Sequence, residues 1–169
     1  MVTIKTARLM LRPVRTDDLD ALIAIHEDPE IARYISGNPH AGRAGAWRML
    51  AIVCGHWYLL GYGQWAVVEA ATSEVIGRVG LWNPEGWPGI ELQWIISRSR
   101  WGRGFATEAA QAALSWAWDH VETDHIISII QPDNQRSIRV AEKIGERLEG
   151  TDTLDGVGVL VYGVHRTRR

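Results

Sequence analysis

Apolar and polar positions alternate from Arg8 to Val14, with Leu9 and Leu11 facing one way and Arg8, Met10 and Arg12 the other. A period of two predicts a half-buried strand, and Pro13 ends it. The period then lengthens. Thr16 or Asp17 caps a predicted helix on which Leu19, Leu22, Ile23 and His26 share a face, with Asp17, Asp18 and Asp20 near its positive end. Pro29 starts a short helix through Tyr34, Ser36 to His40 is a turn-rich break, and Trp47 to Leu60 is an apolar helical stretch closed by Gly61 and Gly63. Gln64 to Ala70 and Val75 to Trp82 read as strands joined by a turn at Ala71 to Glu74. Asn83 to Gly89 is a Pro/Gly loop carrying Trp87, and a strand runs on from Ile90.

The most informative stretch follows. Leu92, Trp94, Ile95 and Ile96 form an apolar run of strand formers, Ser97 to Arg100 break it, and Gly102 and Gly104 bracket Arg103. From Phe105 the spacing is helical. Thr107, Glu108, Gln111, Ser115 and Asp119 make one thin polar stripe, so this helix is mostly buried. Ile126 to Gln131 reads as a central strand. Pro132, Asp133 and Asn134 open a helix stopped at Gly145, and Arg147 to Leu154 and Val157 to His165 form a hairpin around Asp155-Gly156.

A glycine loop between a buried strand and a buried helix has a chemical use. The first helical turn leaves backbone N–H groups unpaired and carries partial positive charge. Glycines let the backbone approach a ligand, and Arg100 and Arg103 add full charge. Together they suit a phosphate or pyrophosphate; the plain alternative is an ordinary strand-to-helix turn. The loop is not a P-loop, since no Gly-Lys-Ser/Thr follows, nor a dinucleotide fingerprint, since the third glycine is absent.

Composition narrows the classes. The 169 residues, taken as one domain spanning 1–169, carry 46% hydrophobic and 22% charged residues, as soluble globular chains do. A net charge of −2 implies no bulk attraction to nucleic acid. Arg166, Arg168 and Arg169 read as a solvated tail. The single cysteine, Cys54, lies in an apolar helical run; it excludes an internal disulfide, fits a reducing cytosol and reads as a packing thiol. No signal peptide and no bilayer-length apolar run is present, which predicts a cytoplasmic protein without membrane attachment. Nine tryptophans against one phenylalanine is unusual. No His/Cys/Asp cluster has metal-ligand spacing, so no metal is expected.

WGRGFATEA resembles the acyl-CoA pyrophosphate loop of the GNAT N-acetyltransferases, most closely the subfamily that acetylates N-termini of ribosomal proteins. That loop follows Gln/Arg-x-x-Gly-x-Gly/Ala; Trp101 departs from Gln/Arg, and Gly104 and Ala106 fit. TARLMLRP, NQRSIRVAEKIG and RLEGT resemble the same subfamily in the same order, so the likeness spans nearly the whole chain. It implies an α+β acyl-CoA N-acyltransferase fold: a twisted, mostly antiparallel mixed sheet with helices on both faces. It also implies acetyl-CoA as cosubstrate and an amine acceptor, with the chain a monomer or homodimer. Gly145-Glu146 departs from the family's usual Gly-Phe and reads as a packing change.

By this resemblance Ile95, Ile96, Trp101, Gly102, Arg103, Gly104, Phe105, Ala106, Thr107, Asn134 and Ser137 contact the cofactor. The matching asparagine bonds the pantetheine arm, and the matching serine lies near the cofactor sulfur. Their plain readings are a helix N-cap for Asn134 and a back-bonded buried hydroxyl for Ser137. Ser137 shares a helical face with Val140, Ala141 and Ile144, which aims it inward.

Acetyl transfer to an amine needs a neutral amine, although a free amine with a pKa of about 10 is mostly protonated at pH 7. It also needs proximity, an oxyanion donor and a proton for the thiolate. The resemblance places the Ile96 N–H at the oxyanion, and Ser137 could supply the proton. Glu91 is the candidate base, its alternative being a cross-strand ion pair or a strand-edge carboxylate; His165, Asp133 and Asp155 are weaker candidates. No activated nucleophile is visible, so transfer should be direct. Trp47, Trp57, Trp87, Trp94 and Tyr58 could be walls of an acceptor site or could pack the core. The acceptor could be a protein N-terminus or a small amine such as an amino acid, polyamine or antibiotic. The alternative from another class is a non-catalytic acyl-CoA-binding or sensor module.

Overall fold

A computed structural model of the chain describes residues 2–35 and 42–167. The predicted break at Ser36 to His40 lies outside the described residues, as do Arg168 and Arg169 of the basic tail. Eight strands, β1 (Ile4–Lys5), β2 (Leu9–Arg12), β3 (Gln64–Glu69), β4 (Val75–Trp82), β5 (Glu91–Ile96), β6 (His125–Ile130), β7 (Arg147–Leu154) and β8 (Val157–His165), form one sheet in the order β1-β2-β3-β4-β5-β6-β8-β7. Every neighbouring pair is antiparallel except β5 and β6, which run parallel. The helices are α1 (Leu19–Glu27), α2 (Pro29–Ala32), α3 (Gly42–Leu60), α4 (Phe105–His120) and α5 (Gln135–Ile144).

Strand alternation distributes the helices. Arg78 and Val79 are successive on β4 and point to opposite faces. Arg78 Nε donates to His26 Nε2 of α1. Trp65, paired with Val79, meets Trp116 of α4 edge-on at 5.1 Å between ring centroids. So α1 covers one face and α4 the other, as the mixed fold expected. Leu9, Leu11, Val67, Val79, Leu81 and Leu92 fill the core with the Ala-rich side of α4, where Ala109, Ala110, Ala113 and Ala117 are 0% exposed. Alanines let the helix lie close on the sheet.

Several boundaries differ for physical reasons. The first helix begins at Leu19, after a 3-10 turn at Thr16–Asp18, and neither Thr16 nor Asp17 caps it. The decisive residue is Asp18, whose carboxylate takes both Arg12 amino groups (2.7 and 2.6 Å) and the Arg15 N–H (2.7 Å). The buried face of α1 carries Ile25 rather than Ile23. Helix α3 starts five residues before Trp47, and β1 is a two-residue strand too short to leave a period. The closing hairpin has the predicted bounds, with Asp155 (φ 50) and Gly156 (φ 78) both left-handed at its turn.

Candidate active site

The one parallel pair among the described residues creates the site. β5 and β6 share a single register position, Glu91 with Ile127, where Ile127 N donates to Ile90 O (3.0 Å). Past that point the strands diverge and side chains replace the ladder. Ser128 Oγ lies 2.8 Å from Leu92 O, and Ile129 N donates to Glu91 Oε1 (3.3 Å). A cleft of about 680 Å³ opens at this fork. On the other side of β5, Ser97 N donates to Ile76 O across β4 (2.7 Å). Antiparallel bonding alternates along a strand, so the neighbouring Ile96 turns its N–H away from β4 and toward the fork. Its side chain is buried. Ile95 faces the Arg78 side of the sheet and also lines the cleft.

The glycine loop closes one end of the cleft. Gly102 (φ 75) and Gly104 (φ 79) are both left-handed, and Gly104 stands at the N-cap of α4. Only glycine holds such angles without strain. Arg8 clamps the loop from outside: Nη1 donates to Arg103 O (2.9 Å), while Nε donates to Glu108 Oε2 (2.7 Å). Trp101, where the family pattern has Gln or Arg, donates its indole N–H to Ile96 O (2.7 Å) and lies under the Arg136 guanidinium, 4.5 Å away. It thus joins loop, strand and α5. Ala106 and Thr107 line the cleft, but the Phe105 ring is buried, with the Arg8 and Arg103 guanidiniums over it, so it can offer a ligand only its backbone.

The two arginines of the predicted anion loop differ. Arg100 is committed to Glu69 (2.9 Å) and Glu74 (2.6 Å), which corrects the expectation that it adds full charge to the loop. Arg103 is half exposed and reaches Glu69 only at 3.5 Å. Further positive charge comes from α5, whose Arg136, Arg139 and Lys143 line the same cleft. The sequence reading assigned these three no role.

Asn134 caps α5, its Oδ1 accepting from Ser137 N (3.2 Å). Ser137 is half-buried and lines the cleft; the wholly buried ridge of α5 is Ile138, Ala141 and Ile144. Ser137 therefore stands at the flank of that ridge, facing the opening rather than the packed core.

Glu91 sits at the base of the fork, 4% exposed. It is neither a strand-edge carboxylate nor half of a simple ion pair. Oε2 accepts from the Trp87 indole (2.9 Å) and Gln93 Nε2 (2.8 Å), while Oε1 takes the Ile129 N–H. Burial pushes this carboxyl up to about 7, against the three donors and the field of Arg78. The polar chain continues from Gln93 to Gln64, from Gln64 to Arg78, and from Arg78 to His26. Burial lowers the Arg78 guanidinium to about 10, so it stays charged at neutral pH. Arg78, Gln64 and Ser128 line the cleft, and sequence reading missed them because their partners are distant in the chain.

The aromatic candidates separate cleanly. Trp87 and Trp94 line the cleft, with Tyr34 and Trp82 beside them. Trp57 is core: it is 6% exposed, donates to Gln64 O (2.9 Å) and packs edge-on to Trp65. Trp47 and Tyr58 are exposed, 55% and 91%, and line no part of the cleft. Burial raises the Cys54 thiol, which suits packing rather than attack. Of the weaker base candidates, Asp155 touches the cleft, Asp133 pairs with Arg33 (3.2 Å), and His165 stacks on His125 at 4.3 Å. His125, His165 and Glu149, remote in sequence, bring ligand atoms within 4.8 Å of one another at the far end of β6, a gathering that sequence spacing does not reveal. No helix among the described residues is long and apolar enough to cross a membrane.

Comparison with known proteins fits this geometry. The family model described as "Acetyltransferase (GNAT) domain" matches residues 8–147. An uncharacterized N-acetyltransferase, p20, of Bacillus licheniformis is 27% identical over 151 residues, 89% of this chain and 85% of that protein. YkkB of Bacillus subtilis is 30% identical over 145 residues, 83% of this chain and 82% of its own. Among solved structures, an acetyltransferase of Agrobacterium tumefaciens shares 30% identity at a TM-score of 0.84, covering 98% of this chain and 95% of that one. A ribosomal alpha-N-protein acetyltransferase in complex with coenzyme A shares the fold at a TM-score of 0.82 and 16% identity, over 97% and 98% of the two chains. The parallel fork in an otherwise antiparallel sheet, the glycine loop and the matched family model together make this chain a member of the GNAT family of N-acetyltransferases.

Proposed function

We propose that the chain transfers the acetyl group of acetyl-CoA directly to a primary amine carried beside an apolar or aromatic portion. The observation that carries the reading is the fork, where a left-handed glycine loop and a buried carboxylate near neutrality open on one cleft. The residues for cofactor binding are Ile95, Ile96, Trp101 to Thr107, Asn134 and Ser137. The backbone N–H groups of Gly102 to Thr107 offer donors to the pyrophosphate at the α4 N-terminus. The fold neighbour that holds coenzyme A supports this choice of cosubstrate.

In the reaction, Glu91 takes a proton from the ammonium, directly or through water. The neutral nitrogen attacks the thioester carbon, and the Ile96 N–H stabilises the oxyanion. The C–S bond then breaks, the nitrogen gives up its second proton to solvent to leave the neutral amide, and the thiolate takes its proton from Ser137 or solvent. A base held near 7 is matched to this work at neutral pH. The acceptor portion rests against Trp82 and Trp87 on the Glu91 face of the sheet, whose rings exclude water and so favour the neutral amine. Both signs of charge line the cleft, which offers a polycation no continuous acidic track.

The test is free-CoA release with a panel of amines, run on wild type and Trp87→Ala. Aromatic or apolar primary amines and peptides with such N-terminal residues should be best, and Trp87→Ala should raise their KM. Spermidine-like amines as best substrates would refute the acceptor assignment.

A further inference from the structure

Behind the fork lies a second carboxyl that the reaction above does not use. Glu146 follows the C-cap Gly145 of α5 and is 2% exposed. Its Oε1 lies 2.9 Å from Ser128 Oγ, and its Oε2 is buried without a partner. Ser128 Oγ also lies 2.8 Å from Leu92 O. A serine hydroxyl has one proton to give, and a carbonyl has none. If Glu146 were ionised, Ser128 could satisfy only one of the two oxygens and would stand against the other with no hydrogen between. If Glu146 carries a proton on Oε1, both bonds form: Glu146 donates to Ser128, and Ser128 donates to Leu92 O.

We propose that Glu146 works as a neutral carboxylic acid and is a positioning residue that fixes the β5–β6 fork, through Ser128 and the Leu92 carbonyl, beside Glu91. The surroundings agree. The charged groups that act on Glu146 are Glu91 of β5 and Glu149 of β7, both acidic, and burial together with these pushes its carboxyl up to about 8. The two carboxyls at the fork therefore divide. Glu91, with three donors aimed at it, is held as the acceptor, while Glu146, facing only the Ser128 hydroxyl whose one proton Leu92 O also claims, keeps its proton. The Gly-Glu pair is more than a packing change: the sequence puts an acid where it completes a bond that the diverging backbones no longer make. Ionisation of Glu146 above about 8 would remove its donated hydrogen bond, free Ser128 from Leu92 O and set a second negative charge near Glu91.

The inference rests on the proposed reaction only for its kinetic arm. The first arm is infrared spectroscopy of the folded protein at pH 7. A protonated-carboxyl stretch is expected in Glu91→Gln, where the half-protonated Glu91 is removed, and it should vanish in the double variant Glu91→Gln/Glu146→Gln. Absence of that band in Glu91→Gln, or its persistence in the double variant, would overturn the proposal whatever the substrate proves to be. In the second arm, Glu146→Ala and Ser128→Ala should each lower kcat about tenfold or more with little change in KM for acetyl-CoA. Glu146→Gln keeps an N–H donor toward Ser128, so it should rescue most of the loss at pH 7 and abolish the wild-type decline above pH 8. A Glu146→Gln enzyme as slow as Glu146→Ala, or one with the wild-type alkaline limb, would contradict the assignment.

Discussion

Replacing Gly104 with valine tests the anion loop, and the structure sets two separate magnitudes. Gly104 holds φ 79, and a Cβ there would meet only Arg8 Nη2, at 3.5 Å. The cost to the fold is thus backbone strain rather than collision, about 1–2 kcal/mol for a residue with a Cβ in the left-handed region. For a chain of this size that lowers Tm by roughly 2–8 °C. The protein stays folded, but not without cost. The cost to binding is larger. The side chain stands where a phosphate must approach the backbone, and each charge-assisted N–H bond lost is worth about 1.5–3 kcal/mol, or roughly 10- to 150-fold in affinity. Gly61→Val is the control, because Gly61 has φ 75, open space around its Cα and a place after α3 outside the cleft lining. Titration calorimetry with coenzyme A should show Gly104→Val binding at least tenfold more weakly than Gly61→Val, at similar Tm loss. Equal affinity in the two variants would show that the loop does not hold the cofactor.

Two further predictions concern the chemistry. Because Glu91 must be ionised to act as base and burial lifts it to about 7, kcat/KM should rise with pH up to about 7 and hold there until the decline above about 8 that ionisation of Glu146 brings. Glu91→Gln should lose both activity and that acid limb, and a Gln variant that retains the limb would assign it to another group. Ser137→Ala should lower kcat by about 10²-fold or less while leaving KM for acetyl-CoA nearly unchanged; full activity would leave solvent as the proton source.

Local signals in the chain were readable, and long-range ones were not. The hairpin from Arg147 to His165 was legible because its turn residues and its two periods lie side by side in sequence. Helix α4 was legible from its thin polar stripe, and the loop before it from two glycines that prove left-handed. The fork was not legible. Its geometry depends on a single parallel register between strands more than thirty residues apart, which leaves no mark in either strand's pattern. Arg100 looked like a free cation because Glu69 and Glu74 reach it from another hairpin. Trp57 and Trp87 could not be told apart by type. Only the fold shows that one hydrogen bonds to β3 inside the core and the other to the Glu91 carboxylate at the cleft. Ser128 in an Ile-rich strand and Glu146 after Gly145 were visible oddities, but neither explains itself without the other.

The central claim is that this cleft moves an acetyl group to nitrogen in one step. The most direct measurement is a reaction of acetyl-CoA with an aromatic primary amine, followed by mass spectrometry of product and intact protein. The account predicts one N-acetyl amide per coenzyme A released, with the protein mass unchanged throughout. Acetyl-CoA bound but not consumed with any amine would contradict catalysis, and an acetylated protein that passes its acetyl group to the amine would contradict direct transfer.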